Sequence, residues 1–353
     1  MKKLFTVFFL FFILNSSFFI HNCMCQWIQQ STGTTMDLSN IMFINRYTGW
    51  ACGGGGILKT TNSGNNWITL NLPVNKPLQK IFPVDSNIIY CVGKFETIIK
   101  STDGGANWQV IRDGIFGASN SYYCCYFINQ NTGWITGGSE RKILRTTNGC
   151  VTFDSTITYT SGFINDIYFK DSLSGLYCDN NGAVRKSTNG GFNWFSINIP
   201  VGTFSYDFDN FSFVNNQIGW LITYSGKVFR TNDFGSNWDS ISSIQNSGYP
   251  LYSIFFANIN IGYSGGAGYY LYRSTNGGLN WVQQYLPFPL NGATSIFFVN
   301  DTIGWKAANS GRICYTTNGG QLMQIINYVP ITLNDFELKQ NYPNPFNPST
   351  TIL

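Results

Sequence analysis

The chain has 353 residues, of which 11% are charged and 17% aromatic, with a formal net charge of +4. Such a near-balance of charge excludes a general attraction to nucleic acid or to an anionic membrane surface. Abundant Phe, Tyr, Trp, Ile, Thr and Gly, with no extended helical pattern, predict an all-β fold.

The first element is a leader. Lys2 and Lys3 precede an unbroken apolar run from Leu4 to Leu14. That run is shorter than the roughly 20 residues a membrane span needs, and a basic start before a short apolar run is the pattern of an export signal. Residues 1–25 are read as a signal peptide, so no membrane span remains after its removal. The single histidine, His21, leaves with it. Without an imidazole, Ser-His-Asp and Cys-His catalysis and His-containing zinc sites are excluded. Nineteen basic residues then face seventeen acidic ones.

From residue 26 the chain repeats one unit seven times, anchored on Ser/Thr-x-Asp/Asn-x-Gly-x-x-Trp. The clear copies are Thr60-x-Asn62-x-Gly64-x-x-Trp67, Ser101-x-Asp103-x-Gly105-x-x-Trp108 and Ser187-x-Asn189-x-Gly191-x-x-Trp194. Two more start at Thr231, with Asp233, Gly235 and Trp238, and at Ser274, with Asn276, Gly278 and Trp281. Two are worn: Thr146-x-Asn148 has Cys150 for Gly and Phe153 for Trp, and Thr316-x-Asn318-x-Gly320 has Met323 for Trp. The starts lie 41 to 45 residues apart, room for four short strands and their turns, which is one propeller blade.

A second column precedes each box: Gly49-Trp50, Ile89-Tyr90, Gly133-Trp134, Gly175-Leu176, Gly219-Trp220, Gly262-Tyr263 and Gly304-Trp305. Upstream of it lies an apolar strand ending in Asn or Asp, as in Phe43-Ile44-Asn45. In the box, a short Asx side chain closes a turn by accepting the backbone N–H two residues on. Gly supplies the positive φ, and Trp packs its apolar face inside the blade. These are structural roles. Gln26-Trp27-Ile28-Gln29-Gln30 resembles the strand that follows a box and is expected to complete the last blade; the alternative filler is Leu322–Asn327.

These units resemble Asp-box (BNR-type) repeats, and their layout is similar to the photosystem II assembly and stability factor-like propellers. The resemblance covers about residues 27–327. It implies a seven-bladed β-propeller of four-stranded antiparallel blades, spanning residues 26–330 and acting as a binding or assembly module.

Residues 331–353 form a Pro- and Asn-rich tail in which Pro343, Pro345 and Pro348 break any regular element. The run Phe336-x-Leu338-x-Gln340-Asn341-Tyr342-Pro343-Asn344-Pro345-Phe346-Asn347-Pro348 resembles the opening of type IX secretion C-terminal sorting domains of Bacteroidota and relatives. The resemblance implies export machinery as a partner and a secreted or outer-surface location.

Of nine cysteines, seven remain after residue 25. Cys52 and Cys178 share one repeat position and read as free, buried small hydrophobes. Cys124 and Cys125 point to opposite faces of a strand, and a bond from one of them to Cys150 is the best disulfide candidate.

The chemistry that remains is sparse. A sialidase reading fails, because Glu96, Glu140 and Glu337 are the only glutamates and Glu337 lies in the tail. Asp207 and Asp209 share one face of an extended segment, the arrangement a glycoside hydrolase needs for paired carboxyls, against the reading of a solvated loop between blades. No ligand set for a metal or cofactor clusters in the sequence, and Asn in five of seven boxes weakens a calcium reading. Before the boxes stand Lys59, Lys100, Arg145, Lys186, Arg230 and Arg273, with Tyr315 in the seventh place. Sevenfold placement makes them a cationic ring, read either as a docking surface or as stems lying over neighbouring aromatics. The expected function is a secreted, non-enzymatic propeller that binds a protein or glycan, with no catalytic, cofactor or metal residues. Tyr122-Tyr123, Tyr249 and Tyr269-Tyr270 are its candidate contacts. The alternative is a glycosidase using Asp207 and Asp209.

Overall fold

The computed structural model describes residues 27–321, except 116–119, 138–140, 159–161, 201–206, 246–247, 268–270, 285 and 287–292. The chain divides into two units, Met1–Gln321 and Leu322–Leu353, and the second lies outside the described residues. The sorting motif, the leader, Tyr269-Tyr270 and residues 322–330 of the expected propeller therefore lie outside them too. Among the described residues there is no helix, and so none long and apolar enough to cross a membrane.

Seven four-stranded antiparallel sheets form the first unit. Their first strands are Leu38–Phe43, Leu78–Pro83, Tyr122–Phe127, Ile164–Phe169, Phe208–Phe213, Leu251–Phe256 and Ala293–Phe298. Each first strand contacts the first strands of the sheets before and after it, and the seventh returns to the first, so they line the centre of a closed ring. This is a seven-bladed propeller. The outer place of the seventh sheet belongs to Ile28–Gln30, which pairs with Ile313–Thr316. The N-terminal strand therefore closes the ring, as expected. It also explains the worn seventh box: Trp27, fully buried and edge-on to Phe298 at 5.8 Å, stands where other boxes place their own Trp.

The Gly-aromatic column has a steric cause. In six blades the glycine lies under the phenyl ring that ends its own first strand; a Cβ on Gly133 would sit 2.1 Å from the ring of Phe127. The second blade ends that strand with Pro83, and there the column carries Ile89. The aromatic next to the glycine stacks on the corresponding Phe of the following blade: Trp134 on Phe169 at 3.4 Å, Trp220 on Phe256 at 3.6 Å, and Trp305 on Phe43 at 3.6 Å. The box Trp meets that Phe edge-on within its own blade, as Trp194 does with Phe169 at 5.8 Å. Phe43, Phe169, Phe256 and Phe298 are thus held on three sides, and the core runs as seven inter-blade clusters.

The box turn closes differently from the sequence expectation. In six boxes the Ser or Thr hydroxyl, not the Asx carboxyl or amide, takes the N–H two residues on: Thr60 Oγ1 accepts from Asn62 N at 3.2 Å and from Gly64 N at 2.9 Å; in the seventh, Asn318 Oδ1 also accepts from Gly320 N at 3.0 Å, as expected. Asn62 Oδ1 accepts from Asn66 N, four residues on, at 2.9 Å. The fourth and fifth residues both have positive φ, as at Gly104 (72°) and Gly105 (94°), which accounts for the Gly-Gly pairs. The Asn or Asp ending the first strand closes the adjacent corner by the same chemistry, as Asn45 Oδ1 does with Tyr47 N and Thr48 N.

Candidate functional site

The boxes and the strand-one corners share one end of the ring, because the strands alternate in direction. There the carbonyl of the fourth box residue is the acceptor for a donor from the preceding blade. Lys59 Nζ donates to Gly104 O at 2.7 Å, Lys100 Nζ to Gly149 O at 3.0 Å, and Lys186 Nζ to Phe234 O at 2.9 Å. In the other four seams the column aromatic does this: Trp134 to Gly190 O and Trp220 to Gly277 O at 2.9 Å, Tyr263 to Gly319 O and Trp305 to Ser63 O at 3.1 Å. Every seam is bridged. The cations also lie over aromatic rings: Lys59 over Trp50, Lys100 over Tyr90, Arg145 over Phe192, Lys186 over Phe234 and Arg230 over Trp220. Arg273 Nε donates to the Tyr263 hydroxyl at 3.4 Å. All six are half-buried. The charges of Lys59, Lys100, Arg145 and Lys186 rest against the following blade, and those of Arg230 and Arg273 against an aromatic of their own.

The described cysteines are all buried and free, so the proposed bond to Cys150 is not made. Cys124 donates instead to Asp166 Oδ1 at 3.1 Å. Burial pushes the thiols of Cys91, Cys124, Cys125 and Cys178 well up, and that of Cys150 to about 12, which suits inert hydrophobes rather than nucleophiles. Among the described residues, no three His, Cys, Asp or Glu side chains converge to hold a metal.

The opposite end carries the irregular connections, and the ring's centre opens onto it through a cavity of about 460 Å³ lined by all seven first strands. The third residues of these strands form a polar belt. Four of them pass a hydrogen bond round the ring to the next blade's backbone: Ser295 Oγ accepts from Ile41 N, Asn40 Oδ1 from Ile81 N, Asp166 Oδ2 from Phe211 N, and Asn210 Oδ1 from Ile254 N. Toward the box end the fifth residues Met42, Phe82, Tyr126, Tyr168, Phe255 and Phe297 make an apolar collar.

At the loop-rich mouth, Asp209 lies in the cavity wall. Its Oδ2 is buried with no hydrogen-bond partner, and burial, then the charge of Asp207, raises its carboxyl to about 8. Asp207 itself is exposed. Beside them Tyr224 and Tyr252 meet edge-to-face at 5.9 Å and are 44% and 37% exposed. Of the sequence candidates, Tyr249 is exposed, Tyr123 packs on Phe163 at 5.7 Å, and Tyr122 is buried. The sequence reading missed Tyr224 and Tyr252. Their signal was weak, since they belong to different blades and different strand positions.

A closed ring of seven BNR-type blades, with a polar-belted central cavity and one end given over to seam bonds, defines the class of this molecule. The chain belongs to the photosynthesis system II assembly factor YCF48 family, whose model matches residues 59–205 and 188–329. It is similar to the chloroplastic photosystem II stability/assembly factor HCF136 of Guillardia theta, 26% identical over 222 residues. That match covers 59% of this chain and spans about half, 49%, of the relative's length. Among solved structures, YCF48 bound to a D1 peptide is 19% identical with a TM-score of 0.67, covering 83% of this chain and 97% of that one. The virginiamycin B lyase of Staphylococcus aureus is 14% identical with a TM-score of 0.67, covering 82% and 97%. Both likenesses show the shared propeller fold.

Proposed function

We propose that this propeller is a non-enzymatic docking module for a polypeptide, engaged at the loop-rich mouth of the central cavity. The observation that carries the reading is the exposed Tyr224–Tyr252 pair beside the cavity, at the end of the ring opposite the boxes. Paired tyrosines offer large, stiff, amphipathic contact area, which concentrates binding energy. Membership in an assembly-factor family and the likeness to a YCF48 solved with a D1 peptide support a protein partner. The leader and the tail motif support export to the cell surface or medium, with the tail addressing a type IX-like route.

A screen of the full chain against an immobilised peptide array, repeated with Tyr224→Ala/Tyr252→Ala, tests this reading. Peptides bound by the wild type should lose at least tenfold in affinity with the variant. Equal binding by both proteins, or no bound peptide, would overturn it.

One observation favours a second reading. A carboxyl that keeps its proton to about pH 8 beside another aspartate is suited to the acid of a glycoside hydrolase, with Asp207 as its partner. Reducing sugar released from a glycan panel by the wild type, and lost in Asp209→Asn, would establish hydrolysis and remove the docking-only account.

A further inference from the structure

The polar belt explains its members except one. Six blades place Asn, Cys, Asp or Ser at the third position of the first strand, side chains able to accept a hydrogen bond. The second blade places Lys80 there, which has donors only and cannot pass a bond to the next backbone N–H. Its half-buried ammonium faces the central cavity and makes no hydrogen bond or ion pair to any described residue. The nearby Asp166 carboxylate is already engaged by Cys124 Sγ, Asn210 Nδ2 and the Phe211 N–H. An enclosed cation with three unused donors is poorly suited to holding a wall together and well suited to receiving an acceptor from outside.

The surroundings define what that acceptor carries. Phe82 lies two residues along the same strand and also lines the cavity. It meets Tyr126 at 5.2 Å, and Tyr126 meets Tyr168 at 5.0 Å, so one sector of the wall is a continuous aromatic surface leading away from Lys80. The Asp166 charge already acts on Lys80, so the incoming acceptor carries at most one negative charge: a phosphate dianion would bring a second one next to Asp166. Asp209, the other carboxyl in this wall, keeps its proton at neutral pH and adds no repulsion there.

We propose that the central cavity is a binding site for a monocarboxylate with an apolar or aromatic body, its acid group held by Lys80 and its body lying on Phe82, Tyr126 and Tyr168. The cavity of about 460 Å³ falls within the roughly 300–1,000 Å³ typical of small-molecule sites. This site goes beyond polypeptide docking and stands without it. The same chemistry is offered by a free aromatic acid or by the carboxyl end of a peptide that finishes in an aromatic residue.

Calorimetric titration of the full chain separates these sources. The probes are 3-phenylpropanoate, its neutral amide, and acetyl-Gly-Gly-Phe as free acid and as amide. The expected result is saturable binding of at least one acid, at least tenfold weaker binding of its amide, and a similar loss in Lys80→Met at an unchanged melting temperature. Binding of 3-phenylpropanoate alone identifies a free acid as the ligand type, and binding of the peptide acid identifies a chain end. No binding of either acid by the wild type, or equal binding of acid and amide, overturns the proposal even where Lys80→Met fails to fold. Undiminished acid binding by a folded Lys80→Met overturns it as well. Tyr252 lines the same cavity whereas Tyr224 does not, so Tyr224→Ala alone leaves Lys80, Phe82, Tyr126, Tyr168 and the rest of the lining unchanged, and its loss of peptide docking should leave 3-phenylpropanoate binding in place.

Discussion

Lys306 is fully buried in the third position of a second strand, where other blades place Ala51, Cys91, Ile135, Tyr177, Leu221 and Ser264. Burial lowers its ammonium to about 7. The unfolded chain holds that proton up to about pH 10.4, so between pH 7 and 10 the unfolded state binds more protons and stability rises with pH. Below pH 7 the full penalty of the buried charge applies. Lys306→Met should therefore raise the melting temperature by several degrees at pH 6 and by much less at pH 10, as read by calorimetry. Asp209 has the opposite sign: its carboxyl is raised to about 8, so its contribution is present below pH 4 and lost as pH climbs from 4 to 8. At the glycine column, Gly133→Ala drives a methyl into Phe127, whereas Gly33→Ala meets nothing within 4 Å and bears only the strain of φ +68°. Urea titration should find Gly133→Ala destabilising by about 3 kcal/mol and Gly33→Ala by about 1 kcal/mol. The glycine column was legible in the sequence. Lys80 and Lys306 were not, because a lysine in an alternating strand reads as solvent-facing until its neighbours are known.

At the scale of the element, the box and the corner preceding it were both legible as Asx-rich turns, while the identity of the closing oxygen was not. Sequence spacing says that a hydroxyl and an Asx side chain sit two residues apart; it does not say which oxygen faces which N–H. In the fourth blade, Ser187 Oγ takes the N–H groups of Asn189 and Gly191, the second of them buried, whereas Asn189 Oδ1 takes the exposed Asn193 N–H. Removing the hydroxyl strands a buried donor, and removing the amide leaves one that water can serve. Denaturant unfolding should accordingly rank Ser187→Ala as the worse lesion, at about 2 kcal/mol against about 0.5–1 kcal/mol for Asn189→Ala.

At the scale of the whole molecule, seven boxes in register with a Gly-aromatic column were enough to give the blade count, whereas the closing strand rested on the likeness of residues 26–30 to the strand after a box, with residues 322–327 as its rival. The cavity was not legible, because its wall joins residues about forty positions apart whose shared facing depends on ring closure. Trp27 and Ile28–Gln30 supply both the buried indole and the outer strand of the seventh blade. Deleting residues 27–30 should lower stability by at least 5 kcal/mol and expose the seventh blade to protease at low concentration. The pre-box cations are the point on which the reading of the box end as a fastening, and of the opposite end as the receiving one, turns. Thermal unfolding of the Lys59→Met/Lys100→Met/Lys186→Met variant tests that reading most directly. If these ammonium groups fasten each blade to the next through Gly104, Gly149 and Phe234 carbonyls, the variant should lose about 3 kcal/mol and melt several degrees lower. A melting temperature within one degree of the wild type would show the cations to be a free ring, and would contradict the account.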